Sequence, residues 1–144
     1  ALRNGIKYHD TFSVVASFSG AIYKNALPFE EDSGSPFFLT TRYAKSIFKD
    51  QDYYDSHGNQ LFKAIEKVEN PSDLKIFMTC GTEDWLLDKS REFSRFLFEK
   101  GVPVIYKEKS GGHEWDFWDW SIKEFLDWWI PEDADLGVSS GNVR

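Results

Sequence analysis

Three short runs of apolar, β-branched and aromatic residues recur along this chain, and helical patterns lie between them. The runs are Phe12–Gly20, Leu74–Cys80 and Val102–Tyr106, and a glycine ends or soon follows each of them. Runs of this length and composition are typical of strands buried inside a sheet. Because they alternate with helices, they predict a parallel α/β sheet, in which loops at the carboxyl ends of the strands build the active site.

The helices after the second and third strands are predicted from apolar residues spaced three and four positions apart. One begins near Asp88, whose side chain can cap it, and ends at Gly101, with Pro103 just beyond. The last helix stops at Pro131 and carries an apolar stripe that needs a surface to pack on. That stripe consists of Trp118, Ile122, Phe125, Leu126 and Trp129.

Length and charge exclude several classes of protein. The chain has 144 residues, with 17 Lys+Arg against 24 Asp+Glu and a formal charge of −7. We predict one domain over residues 1–130 and a loose tail over 131–144. An acidic chain without a basic stripe is a poor nucleic-acid binder, and no apolar run approaches the roughly 20 residues that span a bilayer.

With Cys80 alone there is no internal disulfide, and no Cys/His pair has zinc-ligand spacing.

Two of the loops at the carboxyl ends of the predicted strands carry a carboxylate and an imidazole. Asp84 follows the second strand, and His113 follows the third. In an acyl-transfer triad the carboxylate holds the imidazole in its useful tautomer, and the imidazole takes the nucleophile's proton. Glycines before both side chains let the backbones approach closely. On the residues alone, a loop histidine is more often structural, and such an aspartate often ends a turn.

Three motifs together resemble the C-terminal half of an α/β-hydrolase esterase: Phe12–Gly20, Gly81–Asp84 and Gly111–Trp118. The family includes tributyrin, feruloyl and acetyl-xylan esterases, S-formylglutathione hydrolases and mycolyltransferases. The resemblance implies a partial α/β-hydrolase fold, with three parallel strands from one edge of the sheet and helices on both faces. It also implies a serine carboxylesterase for small acyl or aryl esters, in which Asp84 is the triad acid, His113 is the base, and no metal or organic cofactor takes part.

The resemblance places the nucleophilic serine outside this chain. In relatives the G-x-S-x-G elbow comes just before a segment like residues 1–4, so we expect it upstream of Ala1, together with any targeting segment. We therefore expect the chain alone to be inactive and to pair with the other half of its domain or with a second copy. Ser139 stands in a literal G-x-S-x-G match, but no buried strand precedes it and no helix can follow. Cys80 ends a buried strand and is expected to be an inert hydrophobe.

Trp85 and Trp115 each neighbour a triad residue and are interpreted as walls of an acyl or aryl pocket. Residues 21–57 occupy the place where hydrolases carry lid insertions, so Phe37 and Phe38 are candidates for substrate contact. A second hypothesis is a non-catalytic hydrolase-like module for binding or scaffolding, with the two tryptophans as its contact surface. A third is an independent enzyme that uses Ser139 or Cys80. We expect a cytoplasmic location, with which a single cysteine is compatible.

Overall fold

A parallel sheet of three strands lies at the centre of the described residues. The computed structural model describes residues 1–24, 41–56 and 60–130. The strands are β1 (Val14–Phe18), β2 (Lys75–Gly81) and β3 (Val104–Lys109). They lie in the order β1-β2-β3, and both pairs are parallel. The predicted α/β class with three parallel strands is confirmed.

Helices precede, connect and follow the strands. Those in the described residues are α1 (Leu2–Lys7), α2 (Thr41–Phe48), α3 (Gln51–Ser56), α4 (Leu61–Ile65), α5 (Leu87–Glu99) and α6 (Trp115–Trp129). A short 3-10 helix at Pro71–Asp73 leads into β2. None of the helices described here is long and apolar enough to cross a membrane.

The two faces of the sheet carry different helices, because successive side chains of a strand point to opposite sides. Ile76 and Met78 of β2 join the main apolar core with α1, α4 and α5. Phe77 and Thr79 point the other way, toward α6. The Phe77 ring stacks on Trp128 with centroids 5.4 Å apart, and the Thr79 hydroxyl donates to Ser121 Oγ at 2.8 Å. The sheet is therefore covered on both faces, as predicted.

Helix α5 ends as the sequence predicts and begins differently. Gly101 has a φ of 73°, and its N–H donates to the Phe98 carbonyl, while the Val102 N–H donates to Leu97. These two bonds form a Schellman motif, which needs a residue in the left-handed conformation. The predicted cap by Asp88 is wrong, because this residue lies in the first turn of the helix and no side chain caps its start.

The apolar stripe predicted for α6 packs only in part: Phe125 lies against the Phe18 and Phe77 rings of the sheet. The helix buries Phe117 and Ser121, whereas Ile122 and Leu126 are exposed and Trp129 is 54% exposed. Apolar residues occur on both sides of this helix, so spacing alone does not decide which of them are buried. The buried serine faces the sheet, where it accepts a hydrogen bond from the Thr79 hydroxyl of β2.

Two secondary-structure assignments differ from those predicted from composition. Residues 50–58 are polar and predict a connection, but α3 occupies Gln51–Ser56. Strand β3 continues past Tyr106 to Lys109, because its polar end pairs with the end of β2 and Gly81 aligns with Lys109. Phe37, Phe38 and the tail at 131–144 lie outside the described residues.

Candidate active site

Asp84 lies in the turn between β2 and α5, and its carboxylate is held by two hydrogen bonds. The side chain is buried. Oδ1 accepts from the Leu86 N–H at 2.9 Å, and Oδ2 lies 3.0 Å from His113 Nδ1. A backbone turn supports this position, since the Asp84 N–H donates to the Gly81 carbonyl and the Leu87 N–H donates to that of Asp84. One oxygen is thus used to orient the carboxylate and the other to receive the imidazole.

His113 lies in the loop between β3 and α6, and its ring remains partly exposed. An ionised carboxylate can only accept hydrogen bonds, so the His113 Nδ1–H donates to Asp84. That bond fixes the tautomer and leaves Nε2 with a free lone pair. An imidazole held in this way can accept a proton from a nucleophile and stabilise the positive charge it gains.

The two loops meet because glycine stands where they cross. A Cβ at position 81 would overlap the carbonyl oxygen of Gly111. Gly111 itself has a φ of 147°, a conformation that L side chains rarely adopt. The Thr82 N–H continues the ladder beyond β2 by donating to the Lys109 carbonyl at 2.9 Å. The predicted close approach of backbones before Asp84 and His113 is confirmed.

Aromatic rings border the imidazole. Trp85 lies 5.5 Å from the His113 ring, centroid to centroid, and Trp118 lies 5.0 Å away and nearly perpendicular to it. Trp115 packs against Trp118 and so borders the imidazole only through that ring. Trp85 is 45% exposed and Trp115 is 74% exposed, so neither belongs to the core. Of the two predicted pocket residues, Trp85 therefore lies beside the imidazole, and Trp115 lies one ring further away, against Trp118.

Neither alternative nucleophile, Cys80 or Ser139, is placed beside His113 by the described residues. Cys80 is fully buried in β2, and burial raises the pKa of its thiol, which disfavours the reactive thiolate. Ser139 lies outside the described residues. Within 1–24, 41–56 and 60–130, neither a serine hydroxyl nor the thiol is hydrogen-bonded to His113. In the same ranges no three His, Cys, Asp or Glu side chains form a group that can hold a metal ion.

Two neighbours of the pair were not predicted from the sequence. The sequence predicts Trp118 only as part of the apolar stripe of α6, but its half-buried ring lies beside His113. Glu83 was not singled out, although its carboxylate accepts a hydrogen bond from the Gly111 N–H. Adjacency to Asp84 was the one signal for Glu83, and adjacency alone does not show which way a side chain turns.

Known hydrolases match this chain over about half of their length. It is 30% identical over 130 residues to an acetyl esterase of Caldicellulosiruptor saccharolyticus, a match that covers 89% of this chain and 49% of that protein. A ferulic acid esterase structure superposes with a TM-score of 0.62 and 23% identity, covering 89% of this chain and 45% of that one. An S-formylglutathione hydrolase structure from Staphylococcus aureus superposes with a TM-score of 0.59 and 20% identity. The match covers 88% of this chain and 48% of that one. No protein-family model matches the chain.

Proposed function

Because this chain resembles α/β-hydrolase esterases and forms part of their fold, we propose that it supplies the acid and base of a Ser–His–Asp triad. Asp84 orients His113, and His113 activates a serine that a segment upstream of residue 1 carries. The reaction is hydrolysis of small acyl or aryl esters. The observation that supports this proposal best is the 3.0 Å contact between His113 Nδ1 and Asp84 Oδ2 where β2 and β3 end.

The proposed reaction runs in two stages. The serine oxygen attacks the ester carbonyl as His113 Nε2 takes the hydroxyl proton, and Asp84 stabilises the imidazolium that forms. The C–O bond to the alcohol then breaks, and the imidazolium returns its proton to the leaving oxygen. Water attacks the acyl-enzyme by the same route and releases the acid. The buried Asp84 carboxylate is suited to this role because both of its oxygens are already positioned.

The proposed substrate class follows from the surroundings of His113. Trp85 presents exposed aromatic surface beside the imidazole, and Trp115 presents more of it next to Trp118. Such surface favours flat or apolar groups. The matched proteins are an acetyl esterase, a ferulic acid esterase and an S-formylglutathione hydrolase, which act on small acyl or aryl groups by name. We therefore assign small acyl or aryl esters to this chain, with the two tryptophans as walls of the pocket.

The triad proposal is tested by hydrolysis of p-nitrophenyl acetate with the full-length protein, as its gene encodes it. Asp84→Asn is expected to lower kcat by about 10⁴-fold, because the amide no longer enforces the useful tautomer. His113→Ala is expected to lower kcat at least as much. Asp88→Asn is the matched control, since Asp88 is exposed one turn away in α5, and it should retain the wild-type rate. Retention of that rate by D84N and H113A would contradict the proposal.

A second candidate function is a non-catalytic binding or scaffolding module. The observation in its favour is the exposure of Trp85 and Trp115, which gives the loops a ready contact surface. Under this alternative the full-length protein hydrolyses no ester, and D84N and H113A bind ligand as the wild type does. Turnover that depends on both residues would reject it.

A further inference from the structure

Glu83 joins the loop that carries the acid to the loop that carries the base. Its carboxylate accepts one hydrogen bond from the Gly111 N–H and another from the Ser110 hydroxyl, which is 3.3 Å away. Its own N–H donates to the Gly111 carbonyl oxygen at 3.2 Å. Both polar backbone groups of Gly111 are therefore bonded to Glu83, two residues before His113.

The His113 loop needs such support. Gly111 and Gly112 follow one another directly before the histidine and have no side chains to pack. Glycine has the greatest backbone freedom and loses the most conformational entropy when it is ordered. Without a fixed Gly111, the start of the His113 backbone is not determined, and neither is the direction of its ring.

The bonds that Glu83 makes are of a strong kind. Hydrogen bonds to an ionised acceptor are shorter and stronger than those between neutral groups. The carboxylate lies at the surface, yet the hydrogen bond from the Gly111 amide, assisted by the Thr82 and Ser110 hydroxyls, lowers its pKa. Glu83 is thus engaged by the neighbouring loop and does not behave as an ordinary solvated charge.

We propose that Glu83 is a positioning residue, which holds the His113 loop so that the imidazole meets Asp84 on one side and the serine on the other. This inference rests on the esterase function proposed above. Glu83 touches no reacting atom and acts through Gly111. The pair Glu83–Asp84 therefore has two tasks, since one carboxylate fixes the loop and the next orients the ring.

The kinetic test uses the full-length protein and p-nitrophenyl acetate. Glu83→Ala is expected to lower kcat by about 10- to 100-fold, as small misplacements of catalytic groups do, while KM stays within about twofold. Glu83→Gln should lie between the wild type and E83A, because its amide oxygen still accepts one of the two bonds. Glu99→Gln, at an exposed position near the end of α5, is the matched control. A kcat of E83A within twofold of the wild type would overturn the proposal.

A second readout does not depend on turnover. The far-downfield proton resonance of the His113–Asp84 hydrogen bond, assigned by its loss in D84N, should broaden or vanish in E83A and remain in E99Q. If the wild type hydrolyses no ester, the proposed function fails, whereas this resonance still decides the role of Glu83. If E83A does not fold, E83Q, which has nearly the same size, takes its place. An unchanged resonance in the folded variant would overturn the proposal.

Discussion

The Asp84 carboxylate is restrained at both of its oxygens, and this restraint makes a single residue able to orient a ring. The Leu86 N–H fixes one oxygen at 2.9 Å, and His113 receives the other at 3.0 Å. Because the side chain is buried, water does not compete for these bonds, and each is stronger than it would be in solvent. The proposed chemistry therefore depends on a turn geometry that begins at Gly81.

The crossing of Gly81 and Gly111 predicts a specific sensitivity. Gly81→Ala is expected to cost about 1–3 kcal/mol of unfolding free energy, because its Cβ would overlap the Gly111 carbonyl oxygen, and to abolish ester hydrolysis. Gly101→Ala is the control. Its Cβ meets nothing within 4 Å, but its φ of 73° costs about 1–2 kcal/mol. Urea unfolding and initial rates should show two destabilised proteins, of which only G81A is inactive. Normal activity in G81A would contradict the geometry.

The ionisation of Glu83 predicts a pH response at a named amide. Since the hydrogen bonds lower the pKa of Glu83 from its ordinary value of 4.5, the folded state binds this proton less readily than the unfolded state. The stabilisation is complete above the ordinary value and is lost as the pH falls through the lowered one. In ¹H–¹⁵N spectra the Gly111 amide should titrate with a midpoint below 4.5, and the Gly101 amide should not follow it. A Gly111 midpoint at or above 4.5 would contradict the contact.

Some residues of the site can be predicted from the sequence and others cannot. Asp84 and His113 follow from order, since each stands in the loop after a strand, a few residues past its end, and neighbouring parallel strands bring such loops together. The glycines follow from the close approach that the loops require. The contact of Glu83 with Gly111 depends on the path of a turn, and no spacing rule encodes it.

At the scale of elements, α6 is the helix that covers the face of the sheet opposite α1, α4 and α5. Phe117 and Ser121 are buried against it, and Trp128 stacks on Phe77. Periodicity predicts this face only in part: Phe125 packs on Phe77 as expected, but α6 carries large apolar residues on both sides, and a helical pattern cannot choose between them. Contact with β2 determines which side of α6 is buried, and that contact can be seen only in the folded structure. By contrast, the end of α5 is predicted correctly, because Gly101 supplies the left-handed residue that terminates the helix.

The bond between Thr79 and Ser121 predicts how firmly α6 is attached. Thr79→Val removes a buried donor from Ser121 Oγ, which still donates to the Phe117 carbonyl at 2.9 Å. We expect a loss of about 1–2 kcal/mol, measured as a lower urea midpoint with an unchanged m-value. Thr11→Val, at an exposed position, should change the midpoint little. Equal midpoints for T79V and the wild type would show that this bond does not hold the helix.

At the scale of the whole molecule, the described residues form half of a matched fold with apolar surface still uncovered. β1 has a partner strand on one side only among these residues. The outer face of α6 exposes Trp115 and Trp129, together with Ile122, which is 44% exposed. Open strand edges and large apolar patches promote association. The open edge is expected from the resemblance, which places the strand and elbow of the nucleophile upstream of residue 1. The exposed helix face becomes apparent only from the packing.

These surfaces predict the behaviour of residues 1–144 as an isolated polypeptide. We expect it to be unstable or to associate with the other half of its domain or with a second copy. Sedimentation velocity across a concentration series should show species larger than a monomer, or thermal melting should be broad. A single monomeric species that melts cooperatively would contradict this prediction.

The central claim is that His113 activates a serine carried upstream of residue 1. Treating the full-length protein with a fluorophosphonate, which phosphonylates activated serines, and mapping the modified peptide by mass spectrometry tests it most directly. We predict one modified serine, upstream of Ala1 in a G-x-S-x-G sequence, whose labelling is lost in His113→Ala and retained in His9→Ala. Labelling at Ser139, no labelling, or labelling that persists in H113A would contradict it.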